Sequence, residues 1–499
     1  MIRGDLTPEL LNTPVWGDGL PERAGIPVFD VPLVSVGGGI GSFTLLDVLR
    51  IRGVPAEWMR VLSVNDTPWQ TWDYLCRASQ LPATERIRSD AGARPDNIWG
   101  FPSYAVAESW REVSLKPLLQ VLVEPVLSDF YSPPAGLVSA SIAKEAHRIG
   151  YWSMLAKGQV RMVRKRHGGG YFTVLTPPPG AAPTKRVILR SSHVHLAVGY
   201  PGLKFLDDLQ RFREEHGGGH QVVNAYEPHE HVYDTLRRRP GTVIVRGAGI
   251  VASRVLQRLM DDVERYGLQT QIVHLFRTYV TGSHGPNARM RRKGGDGWAY
   301  QAFTMPKSAF GGQLKADFAA ATPERRAELA KLVAGTTTPK LRRWQDQMAR
   351  ARSGGWYHPV QATVDKIERA PDGRLVTHYG HLTYLSDFII DCTGLEADMS
   401  EHRVLDDLLR FGGATRNRAG RLAVSPSFEV LGAGSGDGAL YASGAAVAGN
   451  HFLAVDSFLG LQTAAHEIAD DLARRGFGRR LGPLRSVAQW LRWAGGRPV

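Results

Sequence analysis

The chain has 499 residues, 43% hydrophobic and 22% charged, the balance of a folded globular protein of two or three domains. Residues 1–30 lack a basic end followed by an apolar core, and no run approaches about 18 apolar residues, so a cytoplasmic protein is expected. Cys76 and Cys392 lie too far apart in sequence for a CxxC pair, and two cysteines exclude a disulfide framework; the net charge of +13 leaves nucleic acid, a membrane surface or an anionic ligand to be decided by where the charge sits.

The first patterned stretch runs from Val31 to Asp66. A short apolar strand, Leu33 to Val36, meets Gly37-Gly38-Gly39-Ile40-Gly41-Ser42, and Phe43, Leu46, Leu49 and Ile51 follow at helical spacing. A second strand, Val61 to Val64, ends on Asn65 and Asp66. This order of strand, glycine turn, helix and strand with a terminal acid is that of a dinucleotide-binding unit. Gly37 makes the tight turn, Gly39 and Gly41 let backbone approach a diphosphate, and Ser42 is small enough to stand where a third glycine is usual. Asn65 and Asp66 are the candidates for a ribose hydroxyl.

Aromatics then gather in loops, first Trp69 and Trp72, later Trp99, Phe101 and Tyr104, where they would line a flat ring site or pack in the core. Trp72 is taken as a cofactor contact. Ser109 to Val126 reads as a helix. Leu137 to Thr176 reads as strands, with Gly168-Gly169-Gly170 joining Val160–Arg166 to Tyr171–Thr176 as a hairpin. Arg186 to Tyr200 reads as another strand pair. The two-apart histidines, His193 with His195 and His229 with His231, have no carboxylate or cysteine cluster at ligand spacing, so no metal is expected.

Gly241 to Thr278 repeats the first stretch: strand Val243–Arg246, turn Gly247-Ala248-Gly249-Ile250-Val251-Ala252, helix Ser253–Tyr266 and strand Gln271–Leu275. Gly247, Gly249 and Ala252 are the second set of diphosphate candidates. Here the second strand ends on His274 and Arg277 rather than on an acid. An arginine there pairs with a 2′-phosphate, so NADPH is favoured over NADH and Arg277 is its phosphate candidate. An insertion from His284 to Pro359 carries two charged helical runs, Thr322–Ala334 and Pro339–Arg352, of mixed sign, as a lid or dimer surface would. Val360–Arg369 and Leu375–Tyr379 read as a hairpin about Pro371-Asp372-Gly373. The last stretch, from Arg474 on, holds seven arginines and no acid, with Trp490, Leu491 and Trp493 among them. That concentration at the tail, with no recognised module, argues against nucleic acid; a solvated face or dimer contact is expected, with membrane or partner docking as the alternative.

Two nucleotide folds, with an acidic corner first and a basic corner second, resemble the flavoproteins that hold FAD in one domain and NADPH in the other. Ala197-Val198-Gly199-Tyr200-Pro201 and Asp391-Cys392-Thr393-Gly394 are similar to the two crossovers between those domains, which implies that Thr393 and Gly394 touch coenzyme. Ala439-Leu440-Tyr441-Ala442-Ser443-Gly444 resembles the late strand returning to the flavin, and Phe458–Arg474 the closing helix facing the ring, bringing Gly444 and Leu461 to the cofactor. Within that group the likeness is to the class B flavin monooxygenases, flavin-containing and N-hydroxylating. Their FxGxxxHxxxY segment has a relative in Val223 to Tyr233, with His229 and Tyr233 matching and Val223 and Ala225 departing. The late Asp of disulfide-reductase relatives is Ala445.

The resemblance implies an α/β fold of two Rossmann-like domains: a discontinuous FAD domain (1–205 and 380–499), interrupted by an NADPH domain (206–379) with a helical insertion at about 284–359, and a basic tail over 475–499. It implies an NADPH-dependent FAD monooxygenase that oxygenates a small substrate, possibly an amine, with dioxygen through a flavin C4a-hydroperoxide. Asn450, His451 and His229 are the reaction-zone candidates by position. Two other classes stay open: a flavin reductase or dehydrogenase acting without oxygenation, and a non-catalytic dinucleotide-binding protein.

Overall fold

The computed structural model describes residues 4–87, 103–124, 127, 131–182, 184–217, 219–284, 292–301, 305–333, 337–396 and 398–499. Trp99 and Phe101 of the aromatic loop lie outside the described residues, as do Arg289 and Arg291, two further arginines that follow Arg277 in the sequence.

Two parallel five-stranded sheets organise the chain. The first has the order Ala439–Ala442, His193–Leu196, Leu33–Val36, Met59–Ser63, Leu155–Lys157. The second has the order Val222–Asn224, Phe388–Asp391, Gly241–Arg246, Thr270–Phe276, Tyr357–Gln361. In each, the strand that leads into a glycine turn is flanked on one side by the strand that follows its helix and on the other by a strand from much later in the chain. Strand order reverses at that point, so a crevice opens beyond the carboxyl ends. The central strands are mostly apolar, with Ser35, His193 and His195 as buried polar exceptions in the first sheet. Leu33–Val36, His193–Leu196 and Ala439–Ala442 are buried at every position.

Helix Ile40–Ile51 packs Phe43, Leu46 and Leu49 into the first core beside Ala464 and Ile468 of the closing helix Phe458–Arg474. The second core joins Val243, Val245 and Ile390 to Leu256 and Leu259 of helix Ile250–Tyr266. Each such fully buried side chain contributes about 1.5–3 kcal/mol. A mixed five-stranded sheet carries the hairpin Gln159–Arg166 and Tyr171–Thr176, turned through Gly168–Gly170 as expected.

Several readings change. Residues from 135 to 149 form a helix, not strands, with Val138, Ile142 and Ala146 buried at helical spacing and Gly150 ending it at φ 71°. The expected helix from Ser109 to Val126 is two, Ser103–Glu112 and Lys116–Val123, broken where Val113 adopts φ 50°; residues 125 and 126 lie outside the described set. Val187–Ser191 and His193–Leu196 do not pair with each other: they enter different sheets. Tyr357–Gln361 joins the second sheet in parallel, and the hairpin beyond it is a three-stranded meander of Lys366–Arg369, Leu375–Tyr379 and Leu382–Ser386.

Phe388–Asp391 pairs with both Val222–Asn224 and Gly241–Arg246, so it belongs to the second sheet. The return to the first half therefore comes later than the expected residue 380. It comes where Leu395–Glu396 runs antiparallel to Gly202–Leu203, so that the outward and homeward crossings lie side by side.

Candidate active site

Gly37 sits at φ 123°, and a Cβ there would lie 2.2 Å from the carbonyl oxygen of Ala197. No L side chain fits, because the turn presses against the crossover that leaves the neighbouring strand. Gly38 is as tightly held, its missing Cβ 2.2 Å from that of Ser63. Gly39 differs: nothing lies within 4 Å of where its Cβ would be, so it faces the open crevice. Gly39 also caps helix Ile40–Ile51 with no side chain covering the first-turn N–H groups. Those uncovered donors and the helix dipole make an anion cradle. Ser42 is buried and accepts a hydrogen bond from the Gly38 N–H at 3.1 Å, tying turn to helix.

A second helix end meets this one. A Cβ on Gly41 would lie 3.0 Å from Ala197 and 3.3 Å from Leu461, and one on Gly444 would lie 3.5 Å from Leu461. Thus Gly41, Gly444 and Leu461, far apart in sequence, converge. Ser457 caps the closing helix through the Gly460 N–H at 3.0 Å, and a Cβ on Gly460 would fall 1.9 Å from the Ala454 carbonyl. Sequence reasoning missed Gly460; a glycine inside a helix's first turn was the signal. Trp72 stacks edge-on against Phe458 at 5.6 Å, so it braces this helix start.

A buried polar chain also went unread. His195, in the middle of the first sheet, bridges Ser35 Oγ at 2.9 Å and Ser443 Oγ at 2.8 Å. Burial holds its pKa down to about 3, so the ring is neutral. Ser443 lies beside Gly41 and Gly444 at the convergence of the two helix ends.

At the end of the second strand, Asn65 donates to Thr71 Oγ1 at 2.8 Å. Asp66 stays 80% exposed and takes Lys157 at 2.8 Å. The acidic corner therefore exists but is partly neutralised.

The second corner is built alike. Gly247 has φ 125°, and its Cβ would lie 2.8 Å from the carbonyl of Cys392, at the end of the strand across the switch point. Gly249 caps helix Ile250–Tyr266 without a side-chain bond, and Ala252 is buried in its first turn. Gly394 has φ 126° and open space beyond it. Thr393 is held by Asp391, which accepts its N–H at 3.0 Å and its hydroxyl at 2.7 Å. Both corners therefore fit a diphosphate: glycines where backbone is pressed, bare helix ends where an anion would lie.

His274 is no coenzyme ligand. It is buried, bonded to the Gly247 carbonyl at 2.5 Å and to Tyr357 Oη at 2.9 Å, so it fixes the corner from behind. Arg277 does reach solvent at the carboxyl end of its strand, free to meet a phosphate.

The positional candidates for chemistry fare differently. Asn450 spends its whole amide on the chain, accepting from Val424 N–H and donating to Leu422 and Val447 carbonyls. His229 is buried with one ring nitrogen on the Glu227 carbonyl at 2.7 Å and the other on Tyr233 Oη at 3.0 Å. The matched histidine and tyrosine are thus each other's partners, and both Asn450 and His229 are corrected to structural parts. His451 retains a buried Nδ1 with no hydrogen-bond partner, and burial lowers its pKa to about 4. Of the three it is the one with bonding capacity left.

The insertion lands next to His451. Phe310 lies tilted against Phe452 with ring centroids 6.2 Å apart, Leu314 and Phe318 pack with Leu453, and Arg418 pairs with Glu324 at 2.9 Å. Helices from the second half thus cover the loop beyond the late strand of the first. A cleft of about 560 Å³ opens elsewhere, at the amino ends of the first sheet. Its arginines, Arg166, Arg190 and Arg475, already hold carboxylates.

No protein-family model matches the chain, and no curated protein matches it in sequence. Solved structures do. The ornithine hydroxylase PvdA from Pseudomonas aeruginosa superposes with a TM-score of 0.63 at 14% identity, over 90% of this chain and 100% of that one. An ornithine N-hydroxylase from Kutzneria sp. 744, with reduced FAD, NADP+ and L-ornithine, gives 0.65 at 14% identity, over 90% and 100%. The FAD-bound cadaverine monooxygenase DfoA from Erwinia amylovora gives 0.65 at 11% identity, over 91% and 98%. The chain has their fold. The expected architecture of two Rossmann-like units, one interrupted by the other, is thereby established.

Proposed function

We propose that the protein is an NADPH-dependent FAD monooxygenase that oxygenates a small, amine-bearing substrate in the cytoplasm. The observation that carries this reading is the pair of glycine corners. They are alike in backbone strain and in bare helix ends, and each faces a switch point of its own sheet. The fold shared with two ornithine hydroxylases and a cadaverine monooxygenase supports the reaction class and the amine.

The chemistry that bound FAD would supply is acceptance of hydride from NADPH and reduction of dioxygen, one oxygen atom going to the substrate and the other to water. The chain's own work is placement. Gly37, Gly39 and the first turn after them hold the FAD diphosphate, with Gly41 and Ser42 keeping helix on strand, and Asn65 and Asp66 facing its ribose. Gly444, Leu461 and the closing helix bound the ring side, with Trp72 behind Phe458. Gly247, Gly249 and Ala252 hold the NADPH diphosphate, Arg277 its 2′-phosphate, and Thr393 and Gly394 the approach between the two coenzymes. Asp391, buried and raised in pKa by that burial, fixes Thr393. The insertion keeps water from the reaction zone, and His451 offers Nδ1 within it.

The test is oxygen uptake by the flavin-loaded protein with NADPH and a panel of ornithine, lysine and cadaverine. Amine-dependent uptake with hydroxylamine formation is expected. NADPH oxidation that no amine couples to oxygenation would make it a reductase; protein that retains no flavin would overturn both readings.

A further inference from the structure

The carboxyl-terminal helix Pro483–Ala494 is amphipathic the wrong way round for a helix packed on a protein. Leu484, Val487 and Leu491 are 87%, 59% and 58% exposed. At 100° per residue they fall on one stripe with Ala494. Its half-buried residues, Ser486, Gln489, Trp490 and Trp493, face the body instead. Ser486 helps line a cavity of about 430 Å³ with Ile51, Arg52 and His466, so the helix rides on the back of the first unit with its apolar stripe outward.

Charge says what covers that stripe. Arg485 and Arg492, seven residues apart, run along one flank of it, and Arg479, Arg480 and Arg497 extend beyond the two ends, all exposed. From Arg474 to the terminus there is no aspartate or glutamate. The nearest acid upstream, Asp471, is taken by Arg474 and Arg475. A second copy would set two such arginine rows against each other, whereas an anionic surface satisfies both the apolar stripe and its flank. The helix spans about 18 Å, too short for the roughly 30 Å hydrocarbon core, so it lies in the interface plane.

We propose that this helix docks the protein on an anionic phospholipid surface, with Leu484, Val487 and Leu491 entering the headgroup boundary and Arg485 and Arg492 meeting lipid phosphates. The glycine corners do not enter the argument, so it stands independently of the enzymatic reading.

The experiment is flotation of the full chain with vesicles of phosphatidylcholine alone or mixed with phosphatidylglycerol. Recovery should be about tenfold higher on the mixed vesicles and should fall as salt is raised. L484E/L491E should abolish recovery and R485Q/R492Q should reduce it several-fold, both leaving the melting temperature unchanged because the stripe is exposed. Equal recovery on both vesicles, or none on either, overturns the proposal. So does light scattering that shows a dimer which L484E/L491E dissociates, since the stripe is then a protein interface.

Discussion

Gly37 and Gly460 are glycines for a steric reason that a single methyl group tests. Gly37→Ala combines a φ of 123° with a Cβ 2.2 Å from a backbone carbonyl. It is expected to lose at least tenfold in FAD affinity, measured as the flavin-to-protein ratio of purified protein. Gly460→Ala puts its Cβ 1.9 Å from Ala454 O and should cost about 1–3 kcal/mol by denaturant titration. Arg277, exposed and at the right strand end, is the cofactor discriminator. Arg277→Ala should raise KM for NADPH about tenfold or more while leaving KM for NADH within about twofold; equal effects would dismiss the assignment. Legibility at this scale divided by range. Gly37 and Ser42 are readable because their constraint is local, whereas Asn450 is not, because it bonds Leu422 and Val424 of another segment; the partners of His229, Glu227 and Tyr233, are near in sequence, but only the fold of that turn aims the ring at them.

Among elements, the insertion is where helices of one half cover a loop of the other. Phe318 is buried in a small cluster with Leu314 and Leu453. Phe318→Ala should therefore loosen this cover by about 3 kcal/mol locally. Proteolysis within 305–333 should quicken while the main melting transition stays put, and peroxide release per NADPH should rise as water enters. The charged helices of this insertion were visible in the sequence as runs, but their landing site was not. The helix Ala135–Ile149 reads as strand by composition because Val138, Ile142 and Ile149 are β-branched and favour strands. Its period of about 3.6, through Val138, Ile142, Ala146 and Ile149, was the better guide.

Across the whole molecule, buried neutral histidines set an acid limit. His193, His195 and His274 are held by burial at about 4, 3 and 3, against 6.5 when unfolded. Between those values the unfolded chain binds protons that the native chain refuses, so stability is full above pH 6.5 and falls as pH drops towards 4. Each contributes a slope of up to about 1.4 kcal/mol per pH unit. Urea midpoints should decline steadily from pH 7 to pH 5, and His195→Gln should flatten the decline; a flat profile in the parent protein would contradict it. The described residues contain no helix long and apolar enough to cross a membrane.

The sequence by itself determined the two glycine corners, their helices and the difference between an acidic and a basic second-strand end. These are short-range matters: a turn's φ, an apolar period and a terminal side chain are all specified within some forty residues. Only the tertiary structure decided which late strand closes each sheet, placing Phe388–Asp391 in the second unit and Ala439–Ala442 in the first. It alone brought Leu461 to Gly41, joined His195 to Ser443 and turned the apolar stripe of the last helix outward. Those outcomes depend on which segments, hundreds of residues apart, bury each other, and hydrophobic pattern names the faces to be buried without naming their partners.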